Sequence, residues 1–301
     1  MNHSIHRKLL ATSLLAVLSL PATTIAAAPT PASCTQAVAF APGQISTDDL
    51  FESRLTFTPS RNTIYWSVTS EPSPPGSSVV SAILTADRTA GGWTAPQIAS
   101  FSGVYSDGDP FVSPYGGSLF FSSSRPGGVL ADTPLNDIWV TERTASGWAV
   151  PVNLGPNVNS PGNELYASTD IRGNLYFASD RDGGQFDLYR SSRLPNGKYA
   201  PAEKVPGKTN HPVRWEFNPE ISPDGRTLLF ATYGRPDSYG DVDMYVSRLE
   251  DGKFGTPMNL GPCVNSVAPD FHPTVLWDRE ELYFVRVGAT TDFFTAPLQL
   301  P

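Results

Sequence analysis

Short apolar runs alternate along the chain with clusters of Gly, Pro, Asn, Asp and Ser, and the alternation repeats. The stretch "ISPDGRTLLFATYGRP" (221–236) is echoed by "VSPYGGSLFFSSSRP" (112–126), "STDIRGNLYFASDRD" (168–182) and, more faintly, "FTPSRNTIYWSVTSEP" (57–72). Set in register on Thr58, Ser113, Thr169, Ser222 and Leu276, the copies lie 55, 56, 53 and 54 residues apart. Each predicts the same elements: an acid, a short strand, a turn, a second apolar strand such as Leu119 to Ser122 or Leu228 to Ala231, a loop, then a third strand such as "NDIWVTE" or "VDMYVSR". A fourth strand follows in "GGWTAPQIA", "SGWAVPVNLGP", "NGKYAPAEKVPG" and "DGKFGTPMNLGP". Runs rich in Val, Ile, Tyr, Phe and Trp between turn-forming residues are strands, and no helical period interrupts them.

Four strands in about 54 residues is the size of one propeller blade. A lone four-stranded sheet cannot hide both faces from water, whereas blades stacked in a ring bury them against each other. The expected fold is therefore all-β, a five-bladed β-propeller of four-stranded blades. The fifth unit ends at Pro301 after its third strand, "DFFTAP", while "CTQAVAFAPGQIST" (34–47) precedes the first acid as a fourth strand would. The N-terminal strand is expected to complete the last blade and close the ring. The repeat then occupies 28–301 as one domain.

The run "SPDGRTLLFATYGRP…GDVDMYVSRLEDGKFGTPMNLGPCVNS" resembles the WD-like β-propeller repeat family typified by the C-terminal domain of TolB, over about Ala37 to Leu298. That propeller has six blades and a separate N-terminal domain, so a Tol-specific role does not carry over. The resemblance implies a periplasmic or extracellular scaffold, often without known catalysis.

The first residues change the picture of where the chain works. A charged start ("MNHSIHRK"), twelve apolar residues ("LLATSLLAVLSL") and a small-residue exit ("PATTIAAAP") have the order of a secretory signal peptide, expected over 1–27. Twelve apolar residues are too few for a membrane span, which needs about 20, so a soluble periplasmic or secreted protein without an integral membrane segment is expected. Loss of Arg7 and Lys8 would lower the formal charge of -8 by two, which argues against nucleic acid and anionic membranes as partners. Export makes a Cys34–Cys263 disulfide the default. The register opposes it, placing the two about eight residues of strand apart, at about 3.3 Å each. Only His211 and His272 survive cleavage, which excludes histidine-rich metal sites.

Candidate chemistry is carboxylate chemistry. Six residues before each register point stand Glu52, Asp107, Asn163, Glu216 and Asp270, with Glu164 beside the exception. These starts of the innermost strands converge round one mouth of the channel. The acids either accept hydrogen bonds from the loops entering each blade or ring an electronegative ligand site. Two residues on are Arg54, Asp109, Leu165, Asn218 and His272, a set that varies between blades as a specific site would. "SDGDP" places Asp107 and Asp109 where they could ligate calcium. Arg125, Arg181 and Arg235 are expected to pair with Asp137, Asp187 and Asp243, and Trp93, Trp148, Tyr199 and Phe254 to pack between blades. G-x-S-x-G, H-E-x-x-H and P-loop motifs are absent. The leading expectation is a binding or scaffolding module for a protein or carbohydrate ligand of the cell envelope, and the alternative is a carbohydrate-active hydrolase using two of the carboxylates.

Overall fold

The computed structural model describes residues 36–47, 50–69, 81–129 and 135–301. The expected leader, 1–27, and Cys34 lie outside them. Among the described residues the regular structure is β-sheet, and three longer strands recur per repeat, followed in units one to four by one or two strands of two residues. A two-residue strand, β1 (Val38–Ala39), comes first. Unit one holds β2 (Phe51–Phe57), β3 (Thr63–Thr69), β4 (Ser81–Thr89), β5 (Gly92–Trp93) and β6 (Gln97–Ile98). Unit two holds β7 (Asp107–Val112), β8 (Ser118–Ser123), β9 (Asp137–Thr144), β10 (Gly147–Trp148) and β11 (Val152–Asn153). Unit three holds β12 (Glu164–Thr169), β13 (Leu175–Ser179), β14 (Asp187–Ser191) and β15 (Glu203–Lys204). Unit four holds β16 (Glu216–Ile221), β17 (Thr227–Tyr233), β18 (Val242–Glu250), β19 (Lys253–Phe254) and β20 (Met258–Asn259), and β21 (Asp270–Leu276), β22 (Glu281–Val287) and β23 (Thr291–Pro297) follow.

Within each unit the strands are antiparallel neighbours in chain order. Local chemistry sets the hairpins. In "SPDGRT" the Ser222 hydroxyl accepts from the Thr227 amide at 2.9 Å, and Gly225 takes the left-handed φ of +74° that closes the turn. The expected fourth strands are short and interrupted. In unit two, for example, β10 pairs the far end of β9 and β11 its middle, with "AVP" passing between. Unit five takes its outer strand from the other end of the sequence: Val38 lies opposite Thr295 and Ala39 opposite Phe294.

The second strands carry the core. Ile64, Leu119, Leu175, Leu228 and Leu282 are fully buried, as are Phe121, Phe177, Phe230 and Phe284. The apolar clusters lie between units rather than within them. Tyr65 and Ile83 of unit one pack with Leu119 and Phe121 of unit two, and Tyr176 of unit three with Phe230 and Tyr245 of unit four. Leu55 and Trp66 of unit one share a cluster with Tyr283 and Phe293 of the last unit. The equivalent aromatics are part of this packing. Trp148 donates to the Tyr65 hydroxyl at 3.0 Å, and Phe254 meets Tyr176 edge-on at 6.4 Å. The innermost strands β2, β7, β12, β16 and β21 each touch the next, and β21 touches β2.

Candidate functional site

Each strand-start acid is buried, and its donors come from its own unit. Glu52 accepts from the amide and hydroxyl of Thr47, both at 2.9 Å. Asp107 accepts from Ser102, Ser123 and the Arg125 guanidinium, the last at 2.7 Å. Glu164 accepts from Ser160, Ser179 and Arg181, Glu216 from the His211 amide and Thr232, and Asp270 from the Ser266 amide and Arg286. Asp107, Glu164, Glu216 and Asp270 thus tie the lead-in loop of their unit to the hairpin behind it, while Glu52 engages its lead-in loop alone. Glu164, not Asn163, holds the position in unit three. Asn163 instead binds the Asp180 carboxylate through its amide groups.

The arginines pair differently from expectation. Antiparallel pairing sets Asp107 opposite Ser123, so the end of the second strand lies over the start of the first. Arg125, two residues beyond, therefore reaches Asp107, and Arg181 reaches Glu164 in the same way, while Arg286 lies directly opposite Asp270 and pairs with it. Asp137 and Asp243 accept instead from loop amides and from Asn153 and Asn259, and Asp187 pairs with Lys204. Arg235 has no bond to Glu216. Its guanidinium lies over Tyr245, and its buried Nε has no hydrogen-bond partner among the described residues, the Asp237 carboxylate lying 3.9 Å away.

Two residues along each innermost strand, the register shifts at a bulge and the backbone turns left-handed. Arg54, Asp109, Tyr166, Asn218 and His272 have φ of 24°, 54°, 63°, 51° and 55°. Non-glycine residues held there in every repeat mark a designed feature of the strand. Tyr166, not Leu165, is the unit-three member. Their side chains converge. The Arg54 guanidinium donates to Glu220 Oε2 at 2.8 Å and lies 5.4 Å from the Phe111 ring centroid. Asn218 Nδ2 lies 2.9 Å from His272 Nδ1, and the Tyr166 ring meets His272 edge-on at 5.3 Å. An amide donor at Nδ1 leaves the imidazole proton on Nε2, and the 3.9 Å from Nδ1 to Asp109 Oδ1 is too long for a hydrogen bond.

Burial governs the charges of this cluster. It raises Asp109 to about 7 against the pull of Arg54, and Glu220 to about 7 against the same guanidinium. It also holds His272 well below the usual imidazole range, helped by Arg54. Arg54 is lowered by desolvation, with Glu220 and Asp109 opposing. One buried cation thus faces two carboxyl groups, and Arg54 Nε and Nη1 have no hydrogen-bond partner among the described residues. Glu220 was not singled out from sequence. Its signal is that the other units place Thr56, Phe111, Ser168 and Thr274 at the same step.

The arrangement bears on the remaining expectations. Asp107 has its carboxylate taken up by hydroxyls and Arg125, while Asp109 faces Arg54 and His272. The two carboxylates are thus engaged separately, and no group of three His, Cys, Asp or Glu side chains placed to hold a metal occurs among the described residues. Cys263 is disulfide-bonded, and Cys34, its expected partner, lies outside the described residues. The Ala37 amide reaches the Cys263 carbonyl at 3.2 Å. β1 itself spans two residues only.

Solved structures share this architecture. A putative TolB from Agrobacterium tumefaciens is 17% identical with a TM-score of 0.51, over 80% of this chain and 71% of its own. The fold is a β-propeller of the TolB type. A GH43 endo-arabinanase from Bacillus licheniformis, 12% identical, matches with a TM-score of 0.50 over 84% of this chain and 95% of its own. A protein of unknown function from Dyadobacter fermentans, 12% identical, matches at 0.51 over 84% and 79%. At such identities the likeness is one of fold alone. No family model and no curated protein sequence matches the chain. No helix among the described residues is long and apolar enough to cross a membrane.

Proposed function

We propose that the chain is an exported, five-bladed propeller closed by β1 on β23, and that it works as a protein-binding scaffold of the cell envelope through the end where the innermost strands begin. One observation carries this reading. Val104, Tyr105, Val213, Trp215, Tyr233 and Val267 all lie at that end, 38–90% exposed, on the loops leading into β7, β16 and β21 and at the end of β17. Exposed apolar and aromatic residues gathered at one end of a fold are what an interaction surface would present. The buried acids beneath anchor the loops that present them. In this reading Glu52, Asp107, Glu164, Glu216 and Asp270 act on ligand binding only through loop position, and Cys34 and Cys263 staple β1 to the neighbouring unit.

A carbohydrate hydrolase is the second reading, with the arabinanase likeness in its favour. Glycoside cleavage needs an acid and a second carboxylate flanking one bond. The two carboxyl groups not spent as anchors, Asp109 and Glu220, do not share a cavity: Glu220 lines a depression at the far end of the channel, which Asp109 does not border. That geometry favours the scaffold.

The test pairs capture with turnover. Trp215→Ala and Tyr233→Ala should keep the parent's melting temperature and lose at least about tenfold in affinity for a partner cross-linked in envelope extract, as truncated hot-spot residues do. Incubation with polysaccharides should release no reducing ends. Release that disappears in Asp109→Asn would establish the hydrolase instead.

A further inference from the structure

At the end where the innermost strands finish, their last residues enclose a depression of about 350 Å³. Its wall is largely apolar, built from side chains such as Phe57, Phe111, Ile221 and Trp277. Among its polar lining residues, Thr169 and Glu220 depart from the repeat. Thr169 stands five residues after its strand-start acid, where the other units carry Phe57, Val112, Ile221 and Val275. Glu220 stands four residues after its own, where the others carry Thr56, Phe111, Ser168 and Thr274. Three of those side chains are committed to neighbouring backbone: Thr56 accepts from Val112, Ser168 from Ile221, and Thr274 donates to Leu55. Thr169 is 1% exposed and its Oγ1 has no partner. Glu220 is 3% exposed, with Oε2 held by Arg54 and Oε1 met only by a 3.4 Å contact from the Val275 amide.

A polar side chain at a position the scaffold fills four times with apolar ones is not there for the scaffold. A buried hydroxyl without a partner is destabilising, and the cost is removed when something binds it. We propose that this depression binds an apolar ring carrying one neutral hydroxyl: a phenol or aromatic alcohol, either free or as the tyrosine side chain of a polypeptide. The ring fits the aromatic and aliphatic wall, and a space of a few hundred Å³ suits a small ligand. At the base, a hydroxyl donates to Glu220 Oε1 and accepts from Thr169 Oγ1, which uses both of its capacities. An ammonium there would sit beside Arg54 with only a carboxylate that Arg54 already engages. A carboxylate head would be placed against Glu220.

Isothermal titration of the intact protein with p-cresol, toluene, benzylamine and benzoate tests this. Cresol should bind about tenfold more tightly than toluene, one hydrogen bond's worth, and the charged analogues more weakly still. Thr169→Val should bring cresol down to the affinity of toluene while leaving the melting temperature unchanged or higher, since it removes an unpartnered buried hydroxyl. This variant is preferred to Glu220→Gln, which strips Arg54 of its counter-charge and endangers the fold. N-acetyl-tyrosinamide separates the two sources: tighter binding than cresol identifies a polypeptide side chain, weaker binding a free phenol. Equal affinity for cresol and toluene, no binding of cresol, or full cresol affinity in Thr169→Val would each overturn the proposal.

Discussion

Units two, three and five hold their strand-start acids with a guanidinium, and units one and four do not. Asp107, Glu164 and Asp270 pair with Arg125, Arg181 and Arg286, and in each case the same arginine also donates to a backbone carbonyl of the lead-in loop, at Phe101, Val158 and Val264. Glu216 and Glu52 keep only amide and hydroxyl donors, and Glu52 Oε2 is buried with no partner. In unit four the cause is spacing. Arg235 follows Glu216 by one residue more than Arg125 follows Asp107, because Gly234 intervenes, and the guanidinium turns to Tyr245 instead. Burial then raises Glu52 and Glu216 to about 7. One repeat position has become two kinds of anchor, one braced by a guanidinium and one by neutral donors alone, with burial raising Glu164 and Asp270 as well.

The largest expected effect breaks a charged anchor. Arg125→Met leaves Asp107 buried with hydroxyls alone and should cost about 3–5 kcal/mol, as removal of one partner of a buried pair does. Arg235→Met at the corresponding place should cost no more than about 1 kcal/mol, chiefly lost contact with Tyr245. Urea melts of the two variants read the contrast directly, and equal losses would erase it.

The uncharged anchors should show themselves in pH dependence. A carboxyl whose folded pKa is about 7 keeps a proton that the unfolded chain, at about 4.5, has already released. The folded state binds more protons across that interval, so stability should be highest near pH 4.5 and fall as pH rises toward 7. Asp109 and Glu220 titrate in the same sense. Replacing both Glu52 and Glu216 by glutamine should flatten the slope in part, since burial raises Glu164, Asp243 and Asp270 in the same sense. An unchanged slope would mean that those two acids stay ionised.

The smallest effect concerns an arginine–carboxylate pair without burial. Arg61 bonds Asp278 at the rim of the depression, where the two side chains are 26% and 68% exposed. Asp278→Asn should change stability by less than about 1 kcal/mol, and less still in high salt. A loss comparable to that of Arg125→Met would show that pairing rather than burial decides the anchors.

Much of this was legible from the repeat. Strand order, the acids and the variable step at Arg54, Asp109, Asn218 and His272 follow from aligning five copies. Leu165 was read in place of Tyr166 because "GNEL" offers two polar residues at the strand start, and only the bulge, which depends on cross-strand pairing, decides that Glu164 is the anchor. The arginine partners were misread for a related reason. Distance along the chain favours the following aspartate, whereas hairpin pairing lays the end of one strand over the start of the last. Glu220 and Thr169 were missed because they sit in ordinary strand-to-turn sequence, "PEISPDG" and "ASTDIRG". Their departure from the repeat appears only when each step of the strand is compared across units.

The pairing of Val38 with Thr295 has a consequence for the order of events in folding. Most contacts of the sheets lie within one repeat and can form as soon as that repeat exists, but this one joins positions at opposite ends of the sequence. The entropy of bringing such distant positions together grows only slowly with separation, yet a chain made N-terminus first cannot form the contact until β23 has been synthesised. Until then β1 is a strand without a neighbour, and the edge of β23 meets water the moment it is made. The seam is thus the last joint to set during biogenesis, and the interval before it sets is when the half-made molecule is most open to capture by another copy of itself.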